Sequence, residues 1–573
     1  MATRIIKLLR ELNIEIEELE KTLNALGYEE YNLTFNSKIP DEIAILVTGL
    51  YSEDIEFLKL IDLTSKLKTI GYIDFNSKGT RSLTTPPLKY SEKQDFWINE
   101  LAILSSSQNV NYINVSSFDE PEGFPLYSIL IGTNGVGKSS LMKELVDFFI
   151  DLHACVNESK TKLSSANKGR LKGISYHIDG VECEVIRLGK NYFAKIDGYI
   201  RALKDLRLPT IVACNFGAFD KFPTQKVNGS AQTKYDVPYY KYVGAHVNGN
   251  LISSSSIAFR LLFALNKQMS NLLRQNICSI LDFIGYDHRV SLSYNLVMKS
   301  KKNGDVRDTI SQRVEKDREY SNLSKQEKNE KIIQLYNFYK TKSSSGKILH
   351  EYNIDFDSDS ISEGSLNELQ YIYKLKQYDL VNSSNVIFYK QGCDITSDNM
   401  SSGEFAMLST VLSISTAANN SHTLVLLDEP ELSLHPNWQM TLIDNLDKAL
   451  VNQVCHMIIA THSHLLVSDL PIKRSSVTQL EKDEEGNLNG IAISECTYGW
   501  SAEEVLLKVF KTATDRNRYF GERIGRLLEK MGNNSIQPKE VTDELKELQE
   551  ISKHLSDIDP MKKILNTIVE TYK

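Results

Sequence analysis

The sequence predicts an α/β fold: a nucleotide-binding head with a helical insertion, a small helical domain before it and a helical segment after it. Three observations carry this. Between Thr423 and Pro436 the chain reads TLVLLDEPELSLHP, an apolar run that delivers Asp428 and Glu429 side by side at a strand end. Residues 132–139 read GTNGVGKS, which fits G-x-x-x-x-G-K-[ST] after the apolar run LYSILIG and before the helical pattern LMKELVDFFIDL. Short apolar runs such as NYINVSSF and TIVACNF, bounded by Gly, Pro and Asp, have the form of core strands.

A chain of 573 residues is too long for one ordinary domain. Hydrophobic content of 41% with 24% charged residues is ordinary globular composition. The net charge of −8 gives no global basic field for nucleic acid, which leaves only local patches or a partner for that role. Seven scattered cysteines (Cys155, Cys183, Cys214, Cys278, Cys393, Cys455, Cys496) without a CxxC pair read as reduced thiols of a cytoplasmic protein, and neither a disulfide framework nor a zinc site. Arg4, Lys7 and Arg10 interrupt any secretory core, and no apolar run approaches the roughly 20 residues of a spanning helix, so no membrane association is expected.

Residues 1–63 form the first expected domain, helical and suited to docking or dimerisation. Ile5, Leu8, Leu9, Leu12, Ile16, Leu19, Leu23 and Leu26 recur at helical spacing, and Gly27 marks a helix end. RELNIEIEELEKTLNALGYEE also resembles the small N-terminal modules of bacterial translation initiation factor two. A polar linker is expected over 64–94. Residues 95–250 form the lobe with the phosphate loop, in which GISYHIDG, VECEVIRLG and NYFAKIDG read as an antiparallel meander. Residues 251–385 read as a mostly helical, solvated insertion, too ragged at a and d for a long coiled coil. Core α/β patterning resumes over 386–480, and 481–573 read as mostly helical.

The phosphate loop supplies the first set of candidate residues. Gly132, Asn134, Gly135, Val136 and Gly137 let backbone N–H groups close on a β-phosphate at a helix N-terminus. Lys138 reaches the β- and γ-phosphates, the Ser139 hydroxyl ligates Mg²⁺, and Ser140 completes the set. Ser401, Ser402, Gly403 and Glu404 lead into the helix FAMLSTVLSISTA, a second anion site that in isolation also reads as an ordinary helix cap. Asp428 is assigned to Mg²⁺ and Glu429 to orienting the attacking water. His462 leaves the buried strand HMIIA and can contact γ-phosphate or water, whereas His464 is taken as a bystander.

These four elements, in this order, resemble the ABC-type P-loop ATPases of the chromosome-maintenance and DNA-repair class. Within that class, DEPELSLHP and THSHLLVSDLP resemble soluble ATPases of bacterial anti-phage systems and overcoming-lysogenisation-defect proteins. IVACNFGAFDKFP, YYKYVGAH and TYGWSAEEVLLKVF resemble the Septu and retron-associated ATPases. The resemblance implies a nucleotide sandwich in a homodimer or higher oligomer. Ser401 and Gly403 would then meet the γ-phosphate of another subunit, and His435 and its neighbours would communicate between sites. It also implies an HNH-type nuclease partner and a retron reverse transcriptase with its DNA–RNA product. The Gln that this class places on Mg²⁺ has no clear counterpart after TIVACNF, where Asn215 is the candidate.

The expected function is therefore an ATP-hydrolysing subunit controlling a separately encoded nuclease. An intrinsic nuclease is not expected, because Asp483–Glu485 read as a polar turn and Asp557 and Asp559 as a helical tail, without preceding strands. The alternatives are a DNA-repair ATPase that clamps DNA directly and an ATP-dependent dimer switch with negligible turnover. The insertion disfavours a transporter subunit, and the Asn-Lys pairs at Asn167 and Asn266 lack the acid that reads guanine.

Overall fold

The computed structural model describes residues 2–25, 38–40, 44, 47–48, 73–75, 81–83, 87–105, 110–116, 118, 121, 123–157, 169–188, 191–215, 217, 220–224, 235, 237–244, 246–247, 250–251, 271–297, 305–317, 320, 323–345, 347, 349–357, 363–418, 422–450, 453–468, 470–493, 524–529, 545–546, 548–549 and 560–572. Two compact units divide the chain, residues 1–499 and 500–573. Gly27, the segment TYGWSAEEVLLKVF, Asp557 and Asp559 lie outside the described residues.

An antiparallel sheet opens the first unit. Its strands are β1 (Phe96–Leu104), β2 (Val110–Asn114), β4 (Leu171–Ile178), β5 (Val181–Leu188), β6 (Asn191–Ile196) and β7 (Tyr199–Arg201), in the order β7-β6-β5-β4-β1-β2. Asp179-Gly180 and Asp197-Gly198 join successive strands with positive φ at both residues, the backbone that two-residue hairpins require.

A second sheet holds β3 (Leu126–Ile131), β8 (Thr210–Asn215), β9 (Tyr240–Gly244), β14 (Thr423–Asp428), β15 (Cys455–Ala460), β16 (Ser475–Lys482) and β17 (Leu488–Ile493), in the order β9-β8-β14-β15-β3-β16-β17. All pairs are parallel except the hairpin β16–β17. Every residue of β3, β14 and β15 is buried, so these strands are mainly apolar without alternation, interrupted within by Ser128 and His456. Helix α1 (Lys138–Val156) packs between the sheets, with Leu141, Leu145, Phe148, Phe149 and Leu152 in the shared core.

A buried histidine joins the two sheets. His456 of β15 accepts at Nδ1 from the Ile98 N–H of β1 (3.1 Å), which places its proton on Nε2. That N–H faces Ser128 Oγ of β3 at 2.8 Å, Ser128 stands 2.9 Å from Ser476 Oγ of β16, and Ser476 donates to the Val115 carbonyl (2.9 Å). With that tautomer every donor in the chain has one acceptor.

The insertion is helical over most of its described residues, as expected, but it also carries strands that the sequence reading did not anticipate. It contains α2 (Asn271–Ile284), α3 (Val306–Lys316), α4 (Lys325–Ser343) and α5 (Glu363–Gln377). It also contains β10 (Arg289–Leu296), β11 (His350–Asp355) and β12 (Val381–Lys390), which with β13 (Cys393–Thr396) form a four-stranded antiparallel sheet. β11 alternates buried and exposed residues, covering one face only.

Three further expectations change. The stretch expected as a linker holds a short hairpin, Ile73–Phe75 with Arg81–Leu83. The boundary expected at residue 480 cuts through the β16–β17 hairpin, so Asp483 does follow a strand. Asp483 accepts from the Glu485 and Asn487 N–H groups, and so serves the turn. The N-terminal stripe is not displayed for docking: Ile5, Leu8, Leu19 and Leu23 pack against Ile186, Phe193 and Ile200 of the antiparallel sheet. There, Ala2–Arg4 also pairs with Lys38–Pro40. The second unit holds a small core around Leu527, Leu548 and Leu565, the last on the helix Pro560–Tyr572.

Burial pushes the pKa of His456 down to about 3, from 6.5. The unfolded chain therefore takes up a proton that the folded chain refuses, and stability falls as pH drops from about 6.5 towards 3. His456→Ala strands the Ile98 N–H and is expected to cost about 2–4 kcal/mol at neutral pH. It should also remove one proton's share of the acid slope, both effects read from urea unfolding at a series of pH values.

Candidate active site

Four strand ends meet along one edge of the parallel sheet. Asp428 pairs with Ala460 and Ala460 with Leu130, while Leu427 pairs with Cys214 on the other side. The next residues along the four strands are the phosphate loop, His462, Asn215 and Glu429, so register alone gathers them.

The phosphate loop is pinned where it leaves β3. A Cβ on Gly132 would stand 2.5 Å from the Leu480 carbonyl oxygen, a backbone atom that no side-chain motion relieves. Val136 is buried in the core, while Asn134 and Gly135 are exposed. Gly137 (φ +118°) caps α1 with no side-chain bond, which leaves the first-turn N–H groups and the positive helix end facing outward. Lys482 donates to the Gly135 carbonyl (3.1 Å) and Lys221 to Ser140 Oγ (3.1 Å), two cations that the motif does not contain.

Lys138 is only 4% exposed. Its ammonium donates to the Gly132 carbonyl (2.9 Å) and lies 2.6 Å from His462 Nε2. An ammonium has no acceptor, so the imidazole must be the acceptor and is neutral there. Burial pushes the Lys138 pKa down to about 8, against the pull of Glu429, Glu431 and Asp428. His462 is likewise lowered, by burial and by Lys138, with Glu429 opposing.

Asp428 is 2% exposed and receives Ser139 Oγ on one oxygen (3.2 Å) and Asn215 Nδ2 on the other (3.4 Å). Asn215 is itself oriented by the Gly217 N–H (2.6 Å). Burial raises the Asp428 pKa to about 6, helped by Glu429 and Asp220 and opposed by Ser139 and Lys138. The Ser139 hydroxyl and Asp428 carboxylate are oxygen donors that suit a hard divalent cation such as Mg²⁺, with the Asn215 Nδ2 turned toward the carboxylate.

Glu429 occupies the left-handed region (φ 48°, ψ 53°), a conformation uncommon for a residue with a Cβ. Its carboxylate lies 3.8 Å from His462 Nε2. Glu431, which no motif in the sequence singles out, accepts from the His462 backbone N–H (2.6 Å), and its other oxygen is buried without a partner. Gln439 donates to the Leu434 carbonyl (2.9 Å) and accepts from Ser463 Oγ (2.6 Å), tying the segment after Glu429 to the histidine loop. The DEPE spacing is the only local signal for Glu431, and Gln439 carries none.

The Ser401–Glu404 turn does not join this cluster. Ser401 caps α6 (Ser402–Ala417) in a reciprocal box with Glu404. Glu404 also accepts from Lys390 (2.8 Å) and Tyr286 (3.2 Å). Among the described residues these four make no hydrogen bond to the phosphate loop, Asp428 or Glu429. Ser401 and Ser402 are exposed, and Gly403 is buried. His435, exposed, accepts from the Asn437 N–H as the cap of α7 (Pro436–Ala449). His464 opens the short helix His464–Val467.

The family described as an AAA ATPase domain matches residues 108–467, more than half of the chain. A probable ATPase of retron Vc95 from Vibrio cholerae serotype O1 biovar El Tor is 33% identical over 89 residues, 14% of this chain and 17% of that protein. The chain thus spans under a fifth of that relative. The SMC head domain from Thermotoga maritima is 11% identical with a TM-score of 0.31, over 70% of this chain and 99% of that one. An SMC head bound to the C-winged helix domain of ScpA is 13% identical with a TM-score of 0.30, over 70% and 98%.

Because its folded pKa lies above the 3.8 of the free acid, Asp428 costs stability that appears as pH rises through roughly 4–6. Asp428→Asn is expected to stabilise the chain by about 1–3 kcal/mol at pH 7 without divalent cations. That advantage should vanish near pH 4, as measured by urea denaturation at the two pH values.

Proposed function

The chain belongs to the AAA ATPase domain family, and on that premise we propose that it is the ATP-hydrolysing subunit of an anti-phage complex that controls a separately encoded nuclease of the HNH type. The observation that carries hydrolysis is the convergence of Lys138, Ser139, Asp428, Glu429 and His462 at one sheet edge. The defence assignment, to the Septu and retron-associated kind, is supported by the sequence resemblance and by the similarity to the retron Vc95 probable ATPase. A retron reverse transcriptase with its DNA–RNA is a further partner on this reading.

In the proposed mechanism the open N-terminus of α1 and the loop amides hold the phosphates of ATP. Ser139 and Asp428 would hold Mg²⁺, with Asn215 beside them, and the ion would supply charge neutralisation on the β- and γ-phosphates. Lys138 has three N–H donors, one on the Gly132 carbonyl and one on His462, which leaves the third for a phosphate oxygen. His462, neutral and accepting from Lys138 at Nε2, keeps its Nδ1–H as a donor for the γ-phosphate. Glu429 orients and polarises the attacking water. Its backbone turns left-handed directly after the strand, and its carboxylate lies 3.8 Å from His462 Nε2.

Ser401 and Ser402, exposed at a helix N-terminus and unbonded to the phosphate loop of their own chain, are proposed to meet the γ-phosphate of a second subunit. His435 would sit between the two sites. Glu429→Gln is expected to reduce phosphate release from ATP at least about 100-fold and to accumulate an ATP-bound dimer in sedimentation. Negligible wild-type turnover would instead make the chain a binding switch. Co-purification with an HNH protein whose cleavage responds to ATP tests the partner assignment, and cleavage indifferent to Glu429→Gln would remove control from the proposal.

Glu431 is proposed as a positioning residue that acts through the His462 backbone. Glu431→Gln should lower kcat about 10-fold while leaving ATP affinity within about twofold. An equal loss in KM and kcat, or in stability alone, would contradict that role.

A further inference from the structure

One cluster in the insertion has the chemistry of a ligand set and takes no part in the site above. Cys278 and Asp282 stand one turn apart on α2, so both face the same side of the helix. The chain then turns through Gly285 and reaches His288 just before β10. Asp357 lies just after β11, and the β10–β11 ladder pairs Arg289 with Asp355, which draws His288 and Asp357 together. His288 Nδ1 lies 2.7 Å from Asp357 Oδ1 and Nε2 lies 2.8 Å from Asp282 Oδ1. One ligand atom each from Cys278, His288 and Asp357 falls within 4.8 Å of the others.

We propose that Cys278, His288 and Asp357 bind a borderline-soft divalent cation, Zn²⁺ by preference, with Asp282 orienting the imidazole. A thiolate, an imidazole and a carboxylate are the donor types Zn²⁺ combines, and a sulfur donor disfavours Mg²⁺ and Ca²⁺. The Nδ1 nitrogen beside Asp357 takes the metal, and Nε2–H stays on Asp282, the arrangement in which a second carboxylate fixes the ring and its tautomer. Binding replaces the thiol proton and any proton on Nδ1, both released to solvent. The ion enters from outside, since Asp282 and Asp357 are largely exposed while His288 is mostly covered.

A simple ion pair of His288 with two aspartates would account for the nitrogens but not for the thiol. Among the described residues, the hydrogen bond of Cys278 Sγ is a 3.8 Å contact with the Phe356 carbonyl. The cysteine spacing in the sequence conceals the set, because only one cysteine takes part and its partners lie up to 79 residues away. The loop it would brace also carries Tyr286, which donates to Glu404, so the ion would stiffen the support of the Ser401–Glu404 turn.

The test uses the full chain stripped of metal and titrated with Co²⁺ and then Zn²⁺. One Co²⁺ per chain should bind with a sulfur-to-cobalt charge-transfer band in the near ultraviolet, and Zn²⁺ but not Mg²⁺ should abolish it. Cys278→Ser should erase the band, while Cys393→Ser, at an exposed cysteine, should keep it. Asp282→Asn should weaken Zn²⁺ about 10-fold. Should Cys278→Ser fail to fold, His288→Gln and Asp357→Asn take its place, and each should lose Zn²⁺ in competition with a chromophoric chelator. A missing band, a band that survives Cys278→Ser, or Zn²⁺ affinity unchanged in His288→Gln overturns the site.

Discussion

Parallel register along β8, β14, β15 and β3 is the constraint on which the candidate site depends. Four strands begin far apart in sequence, yet the ladder sets Leu130, Ala460, Asp428 and Cys214 abreast or within one residue. A slip of one residue in any pair would turn Asp428 or Asn215 to the other face of the sheet. Complete burial of β3, β14 and β15 secures that register, because each face packs against a filled layer. Chemistry at the edge therefore rests on buried strands that contribute reactive groups only at their ends, Asp428 on β14 and Asn215 on β8.

The second sheet is held to the first by polar groups as well as by the shared core. The chain from Ile98 through His456, Ser128 and Ser476 to Val115 crosses from β1 to β15, β3 and β16. Asp179, buried in the β4–β5 turn, bonds His422 just before β14 (2.6 Å) and pairs with Arg207. Buried polar links add little net stability but penalise every other alignment of the sheets. Alignment matters here because the Leu480 carbonyl of β16 sits where only a glycine at 132 can pass.

Local motifs make the phosphate loop and the Asp428–Glu429 pair legible in the sequence, since their chemistry and their turn geometry lie within a few residues. Legibility fails where meaning depends on distant pairing. β11 reads HEYNID, polar at alternate positions, and becomes a strand because β10 offers it a ladder and a core face. Asn215 is only a weak candidate in the sequence, because its alignment with Asp428 comes from β8–β14 pairing and not from its neighbours. Glu431 reads as one more acid in a polar turn, and only the fold brings the His462 N–H onto it. The N-terminal stripe is legible as amphipathic, but its occupant, the chain's own antiparallel sheet, has no local signal.

Glu404 shows how the insertion bears on the proposed composite site. Its carboxylate closes the Ser401 cap and also holds Lys390 and Tyr286, so the cap is fixed to β12 and to the loop after α2. Burial opposes ionisation of this acid, but the Lys390 and Ser401 bonds outweigh it and lower its pKa. The group stays charged and the three contacts persist together. Displacing the α2 loop by an ångström would therefore move Ser401 rather than break it free. In the proposed dimer this makes the insertion, and not the phosphate loop, the element that sets where the second subunit presents its helix N-terminus. A partner gripping the insertion could then govern hydrolysis without touching ATP, which is the physical form that control by an associated protein would take.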